Sequence, residues 1–156
     1  MKKLFLTPIL VAALFLGACS DDDNKDEPVV VEPISFNLEG NDQMKFNLNE
    51  FQILAKQEVT LTLKHSGNMD KNVMGHNIVI LTPQTDLNAF GQASAESAAT
   101  GYIPKSFESS IISSSKMLGG GESDTINFNI DTPGVYNFVC SFPGHYAIMK
   151  GTITVK

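Results

Sequence analysis

The 156-residue sequence predicts an all-β fold, a Greek-key sandwich of about eight short strands with one helical flap inserted among them. Three observations predict it. Apolar and polar residues alternate with a period of two from residue 34 onward. Clusters of Gly, Asn, Ser and Pro interrupt the alternation. One alanine-rich stretch alone carries helical spacing. Taken in order, residues 36–39 and 44–48 suit short strands flanking the turn signal Gly40-Asn41. Val59, Leu61 and Leu63 alternate with Thr60, Thr62 and Lys64, and the turn Ser66-Gly67-Asn68 follows. Residues 76–82 are more continuously apolar (Ile78, Val79, Ile80, Leu81), as a strand covered on both faces would be. Residues 86–99 break the pattern: Leu87, Phe90 and Ala98 fall at roughly helical spacing behind Thr85 or Asp86 as cap, a flap expected on one end of the sandwich. After Gly119-Gly120-Gly121, Ile126, Phe128 and Ile130 alternate with Thr125, Asn127 and Asn129. The turn Thr132-Pro133-Gly134 leads to a strand at 135–140, and Ile153 and Val155 alternate with Thr152, Thr154 and Lys156. One face in and one face out is the antiparallel pattern. The chain shows no internal repeat and no second domain.

Composition narrows the function. Hydrophobic residues make up 42% of the chain, enough for a packed core. There are 11 basic residues, all lysine, so the guanidinium fork that reads phosphate and guanine is absent. Seventeen acids and a formal charge of −6 exclude the basic footprint of a nucleic-acid binder. The charge is unevenly spread. Residues 20–33 hold six acids and one lysine, whereas residues 34–156 hold eleven acids against eight lysines, only −3. Long-range steering by the folded domain is therefore modest.

The N-terminal segment has the character of an address. Met1-Lys2-Lys3 is a short basic start, and residues 4–16 form a 13-residue apolar run interrupted only by Thr7 and Pro8. A membrane-spanning helix needs roughly 20 apolar residues, so this run fits the hydrophobic region of a secretory signal. Leu16-Gly17-Ala18-Cys19 resembles the lipobox of bacterial lipoproteins. That resemblance implies a signal peptide at 1–18, lipidation of Cys19, an acidic tether at 19–33 and the domain proper at 34–156. Ser20 followed by three aspartates resembles the surface-export signal of some such lipoproteins. The implied location is the periplasm or cell surface, anchored to a membrane, the outer membrane first. An acylated Cys19 cannot form a disulfide. Cys140 then stands unpaired in an oxidising compartment and needs another role.

That role is suggested by Cys140-Ser141-Phe142-Pro143-Gly144-His145-Tyr146-Ala147-Ile148-Met149, which sets a thiol, an imidazole and a thioether on one loop as C-x4-H-x3-M. Thiolate and thioether are soft donors that favour copper, and a Cys-His-His set with a weak axial Met is the blue-copper arrangement. It needs a second histidine. The chain has three, His65, His76 and His145, and Gly75-His76 offers one at the start of a strand. The plainer alternatives are a buried free cysteine at Cys140 and a core methionine at Met149.

With these residues the chain resembles the cupredoxin family, and its azurin branch in particular. The resemblance is carried in order by Asn41-Asp42-Gln43-Met44, Gly67-Asn68, Lys71-Asn72-Val73-Met74-Gly75-His76-Asn77, the Cys140 to His145 run and Met149-Lys150-Gly151-Thr152. It covers residues 34–156. It implies one type 1 copper ion held by His76, Cys140 and His145, with Met149 and the carbonyl of Gly75 as long axial contacts. It implies that the amides of Asn77 and Phe142 donate to the Cys140 sulfur, and that the Asn77 side chain ties the two ligand loops together. Met44, Met69, Met74, Phe142, Pro143 and Ala147 are implied as an apolar docking patch around a surface edge of His145, the electron port. His65 is implied as a non-ligand near the site. Three departures stand out. Ile34 and, approximately, Ala55 occupy the place of a family disulfide. Ile78 replaces a buried tryptophan, and Tyr146 stands where a small polar residue is usual.

The implied function is one-electron transfer by Cu(I)/Cu(II) cycling between redox proteins such as c-type cytochromes or a terminal oxidase or reductase. The alternative is a membrane-tethered copper carrier or scavenger. A third reading is an adhesion or signalling domain on an inherited scaffold. An enzyme is not expected: no His-x-His pair for a trinuclear centre occurs, and three histidines do not build a second copper site.

Overall fold

The computed structural model describes residues 31–156. The expected signal peptide, Cys19 and the tether up to residue 30 lie outside the described residues. Among the described residues nine strands form two sheets. The first holds β1 (Ile34–Asn41), β2 (Lys45–Phe46), β4 (Val59–His65) and β7 (Ser123–Phe128) in the order β2-β1-β4-β7. The second holds β3 (Glu50–Ile53), β5 (Val79–Leu81), β6 (Ile111–Ser114), β8 (Gly134–Val139) and β9 (Lys150–Val155) in the order β3-β9-β8-β5-β6. Strands adjacent in sequence thus often lie in different sheets, which is the two-layer sandwich the alternation implied.

The alternating residues face as expected. Leu38, Leu61, Leu63, Ile126 and Phe128 from the first sheet meet Phe51, Ile53, Ile80, Phe138, Ile153 and Val155 from the second, all buried in one core. Each such side chain contributes about 1.5–3 kcal/mol on burial. Ile34 and Ala55 pack partly buried against the same core, so apolar packing occupies the two places where the family resemblance implied a disulfide. Ile78, in place of the tryptophan, is fully buried.

In the strands, three features differ from expectation. β1 pairs with β4, and β3 with β9, in parallel; the remaining pairings are antiparallel. A period of two tells which face a residue occupies and is silent on the direction of the neighbouring strand. Residues 44–48 shorten to β2 because Asn41 caps a tight turn: its Oδ1 accepts from the amides of Gln43 (3.0 Å) and Lys45 (3.3 Å), and Met44 takes a left-handed φ of 53°. Two strands, β3 and β6, went unanticipated.

The flap is real but shorter, and it lies on a face of the sandwich. It forms from α2 (Leu87–Ala95), which follows a single helical turn α1 (Lys71–Met74). The Oδ1 of Asp86 accepts from the amides of Asn88 (2.8 Å) and Ala89 (3.1 Å), so Asp86 is the cap. Phe90 enters a second cluster with Val79, Leu81 and Val139, on the opposite face of the five-stranded sheet from the main core. This explains the unbroken apolar run at residues 78–81: alternate residues serve two cores. Ala98 lies beyond the helix in a short 3₁₀ turn and is exposed, so it does not share the buried face of Leu87 and Phe90.

Candidate metal centre

Three segments converge at one end of the sandwich. His76 follows α1, whose first amides are capped by Asp70, and its backbone is pinned by paired bonds with Leu118 (His76 N to Leu118 O 3.0 Å, Leu118 N to His76 O 2.8 Å). Cys140 ends β8. His145 and Met149 lie on the loop from β8 to β9. That loop is closed by its own backbone: Cys140 N donates to Met149 O (2.9 Å), His145 N to Phe142 O (3.0 Å) and Met149 N to His145 O (2.7 Å). Gly144, at φ 81°, makes the reversal before His145, a conformation glycine adopts without strain.

The side chains meet as the spacing suggested. The Cys140 sulfur lies 3.6 Å from His145 Nδ1 and 4.0 Å from His76 Nδ1. All three ligand atoms fall within 4.8 Å of one another. A metal bonded to sulfur at about 2.3 Å and to nitrogen at about 2.0 Å, with a trigonal angle between them, separates those atoms by about 3.7 Å. The observed distances bracket that value, so the cage fits one ion. His76, Cys140 and Met149 are fully buried and His145 is 3% exposed. His76, Cys140, His145 and Met149 form a type 1 copper arrangement. The Gly75 carbonyl oxygen stands 3.8 Å from the Cys140 sulfur.

The tautomer of His76 is fixed by its surroundings. Its Nε2–H donates to the carbonyl of Asn41 (2.8 Å), leaving the Nδ1 lone pair for the centre. His65 stacks on His76 with ring centroids 4.3 Å apart. Both its nitrogens are engaged: Nδ1 accepts from the Gly67 amide (3.1 Å), so Nε2–H donates to the Met74 carbonyl (2.7 Å). His65 is therefore a buried neighbour of His76 with no ring nitrogen free for the centre.

Asn77 links the two ligand segments. Its Oδ1 accepts from the Ser141 amide (2.8 Å) and its Nδ2 donates to the Ser141 hydroxyl (2.8 Å). Backbone amides of Asn77 and Phe142 face the Cys140 sulfur. Two glycines are required by close approach. A Cβ on Gly40 would sit 2.9 Å from Cδ2 of His76 and 3.0 Å from the Met149 methyl, and one on Gly75 would strike the Lys71 carbonyl at 2.4 Å. Gly40, Asn41, Ser141, Tyr102 and Met117 were not singled out for the site. No periodicity marks them: Gly40 and Asn41 close β1, Ser141, Tyr102 and Met117 come from three separate loops, and they act through backbone, packing and, at Ser141, the hydroxyl bonded to Asn77.

Burial favours the uncharged form of each ligand in the metal-free site. Burial pushes the Cys140 thiol up to about 11, and the amides of Asn77 and Phe142 only partly offset this. Burial and the neighbouring histidines lower His145 to about 4, and burial lowers His76. At neutral pH the metal-free site thus holds two neutral imidazoles and one protonated thiol. Binding of Cu(II) at pH 7 is expected to release close to one proton, read from calorimetry in buffers of different ionisation heat. Release of two or more protons, or of none, contradicts this assignment. His145 is depressed below its unfolded value, so the unfolded chain binds the extra proton, and the metal-free domain loses stability as pH falls from about 6.5 to about 4.

Around the centre, Met69 is 43% exposed and Ala147 is also exposed, while Met44, Met74 and Pro143 are half-buried. Phe142 is 8% exposed, its ring 4.7 Å from that of His145 and 5.3 Å from that of Tyr102. His145 surfaces far less than an open port would, because Phe142 lies against it. Tyr146 turns away from the cage toward the flap.

Comparison with known proteins agrees with this geometry. The family described as copper binding proteins, plastocyanin/azurin family, matches residues 33–156. The chain is 37% identical over 133 residues to azurin of Pseudomonas aeruginosa, covering 83% of this chain and 89% of that protein. It is 40% identical over 123 residues to azurin of Pseudomonas fluorescens biotype C, covering 76% and 95%. Among solved structures, dithionite-reduced auracyanin from Roseiflexus castenholzii superposes with a TM-score of 0.66 at 32% identity, covering 78% of this chain and 96% of that one. An azurin from Methylomonas sp. strain J gives 0.69 at 25% identity, covering 78% and 97%.

Proposed function

The chain belongs to the plastocyanin/azurin family of copper-binding proteins, and from that premise we propose that it is a blue copper electron carrier and not an enzyme. One observation carries the reading: a buried thiol and two imidazole nitrogens within 4.8 Å of one another, with Met149 buried in the same cluster. Copper, when bound there, supplies a one-electron couple. The protein supplies rigidity. Backbone bonds close the Cys140–Met149 loop, Asn77 ties it to the His76 segment, and the Leu118 pairing holds His76 in place. Donors fixed in this way need to move little when charge changes, which suits a carrier. The Gly75 carbonyl, 3.8 Å from the Cys140 sulfur, would be a further weak contact to the bound metal, beside Met149. The amides of Asn77 and Phe142 are assigned to the thiolate, where they tune the potential.

Partners are redox proteins such as c-type cytochromes or a terminal oxidase or reductase. They dock on Met44, Met69, Met74, Phe142, Pro143 and Ala147, with Phe142 and the little-exposed edge of His145 as the way in. A domain of small net charge relies on apolar contact, and short-lived redox complexes commonly use small interfaces. Copper-loaded domain should exchange electrons rapidly with a c-type cytochrome while keeping its metal. Prompt loss of copper to a metal-free acceptor, with sluggish redox, would instead make it a copper carrier.

The domain is held at the periplasmic or cell-surface side of a membrane, the outer membrane first, through lipid on Cys19. β1 supports a consistent orientation. It enters at Ile34, beside Val59, and reaches the ligand rings at Gly40, about 20 Å along at the usual strand rise. The tether therefore joins the end opposite the copper ligands, leaving the docking face outward. Cys19→Ala should move the protein from the membrane fraction to the soluble one; unchanged membrane retention would reject the anchor.

A further inference from the structure

Tyr146 directly follows the ligand His145 and is not directed into the cage. It belongs to the short 3₁₀ turn His145–Ala147 and packs, partly buried, against the cluster of Val79, Leu81, Phe90 and Val139 beneath the flap. Its ring lies flat on α2 at Gly91. A Cβ built there would fall 2.2–2.4 Å from Cδ1, Cε1 and Cγ of the ring. Gly91 is buried within a helix and has an ordinary helical conformation, where alanine is the better helix former. Its lack of a side chain is accounted for by the ring of Tyr146. The same turn accepts two loop amides at His145 O, from Ile148 (3.0 Å) and Met149 (2.7 Å). Movement of Tyr146 therefore acts on His145 and Met149 together.

We propose that Tyr146 is a positioning residue, a strut seated on Gly91 that locks the His145 turn to the flap helix and so holds two copper ligands still. The strut works through the ring face. Its consequence for electron transfer rests on the blue-copper reading; its consequence for the loop does not. The first test uses the metal-free domain. Tyr146→Ser should raise amide hydrogen exchange at Ile148 and Met149 by about tenfold or more over the sandwich strands, while Tyr146→Phe, which keeps the ring, stays within about twofold of the native rate. Gly91→Ala should also speed exchange at these two amides, and the pair Gly91→Ala/Tyr146→Ser should match Tyr146→Ser alone, because the collision is gone. In the copper-loaded domain, Tyr146→Ser should change the Cu(II) EPR spectrum and slow electron self-exchange by about tenfold, with Tyr146→Phe unchanged. Native exchange rates at Ile148 and Met149 in Tyr146→Ser overturn the proposal. So does an equal effect of Gly91→Ala with and without the tyrosine ring. A domain that never turns blue would reject the electron-transfer reading and leave the amide-exchange result standing on its own.

Discussion

Cys140→Ser is expected to abolish the blue absorption of the copper-loaded domain and to reduce electron exchange by at least about a hundredfold, the largest functional effect of any single change. The blue band needs a thiolate bound to Cu(II), and a serine hydroxyl supplies neither the soft donor nor an accessible anion at neutral pH. The replacement is nearly isosteric, and the Gly75 carbonyl and the amides of Asn77 and Phe142 surround the position, so the hydroxyl has partners. The metal-free variant should therefore melt close to the native domain. Absorption spectroscopy and thermal unfolding separate the two quantities. Retained blue colour in the variant would show that Cys140 is not the ligand.

Asn77→Ala is expected to destabilise the metal-free domain by about 2–4 kcal/mol and to weaken copper binding by about 10–100-fold. The side chain is fully buried and serves both the amide and the hydroxyl of Ser141. Truncation leaves the buried Ser141 amide without its acceptor, and such an orphan costs about 1–3 kcal/mol before the lost hydroxyl bond is counted. Binding suffers separately, because the tie is the only side-chain bond between the His76 and Cys140 segments among the described residues apart from contacts to the sulfur itself. Chemical denaturation gives the first quantity and competition against a chelator the second. A loss below about 0.5 kcal/mol together with native affinity would mean that the two loops hold their places independently.

The equatorial ligand set could be read because its chemistry is written in residue type and spacing. A thiol, an imidazole and a thioether within the ten residues from Cys140 to Met149 have few joint uses, and a second histidine had only two candidates. Both remaining histidines prove to be buried beside the centre, and hydrogen bonding tells them apart: His65 has both nitrogens occupied, whereas His76 has one free. No spacing rule could reveal that. The sandwich was legible through alternation at Val59–His65 and Ser123–Phe128. The parallel pairing of Ile34–Asn41 with Val59–His65 was hidden, because alternation encodes faces and not directions. β6 was missed since Ile-Ile-Ser-Ser has no alternation and packs half-buried at a sheet edge. The close approaches at Gly40 and Gly91 depend on residues brought from afar, His76 and Tyr146, and look in sequence like a turn signal and a weak helix position.

The central claim is that His76, Cys140, His145 and Met149 bind one copper ion as a single redox centre. The visible and EPR spectra of the copper-loaded domain, before and after reduction, test it most directly. An intense blue thiolate-to-Cu(II) band, one copper per chain, and complete bleaching by one electron are the predicted result. A nearly colourless Cu(II) protein with the EPR spectrum of ordinary tetragonal nitrogen and oxygen ligation would contradict it.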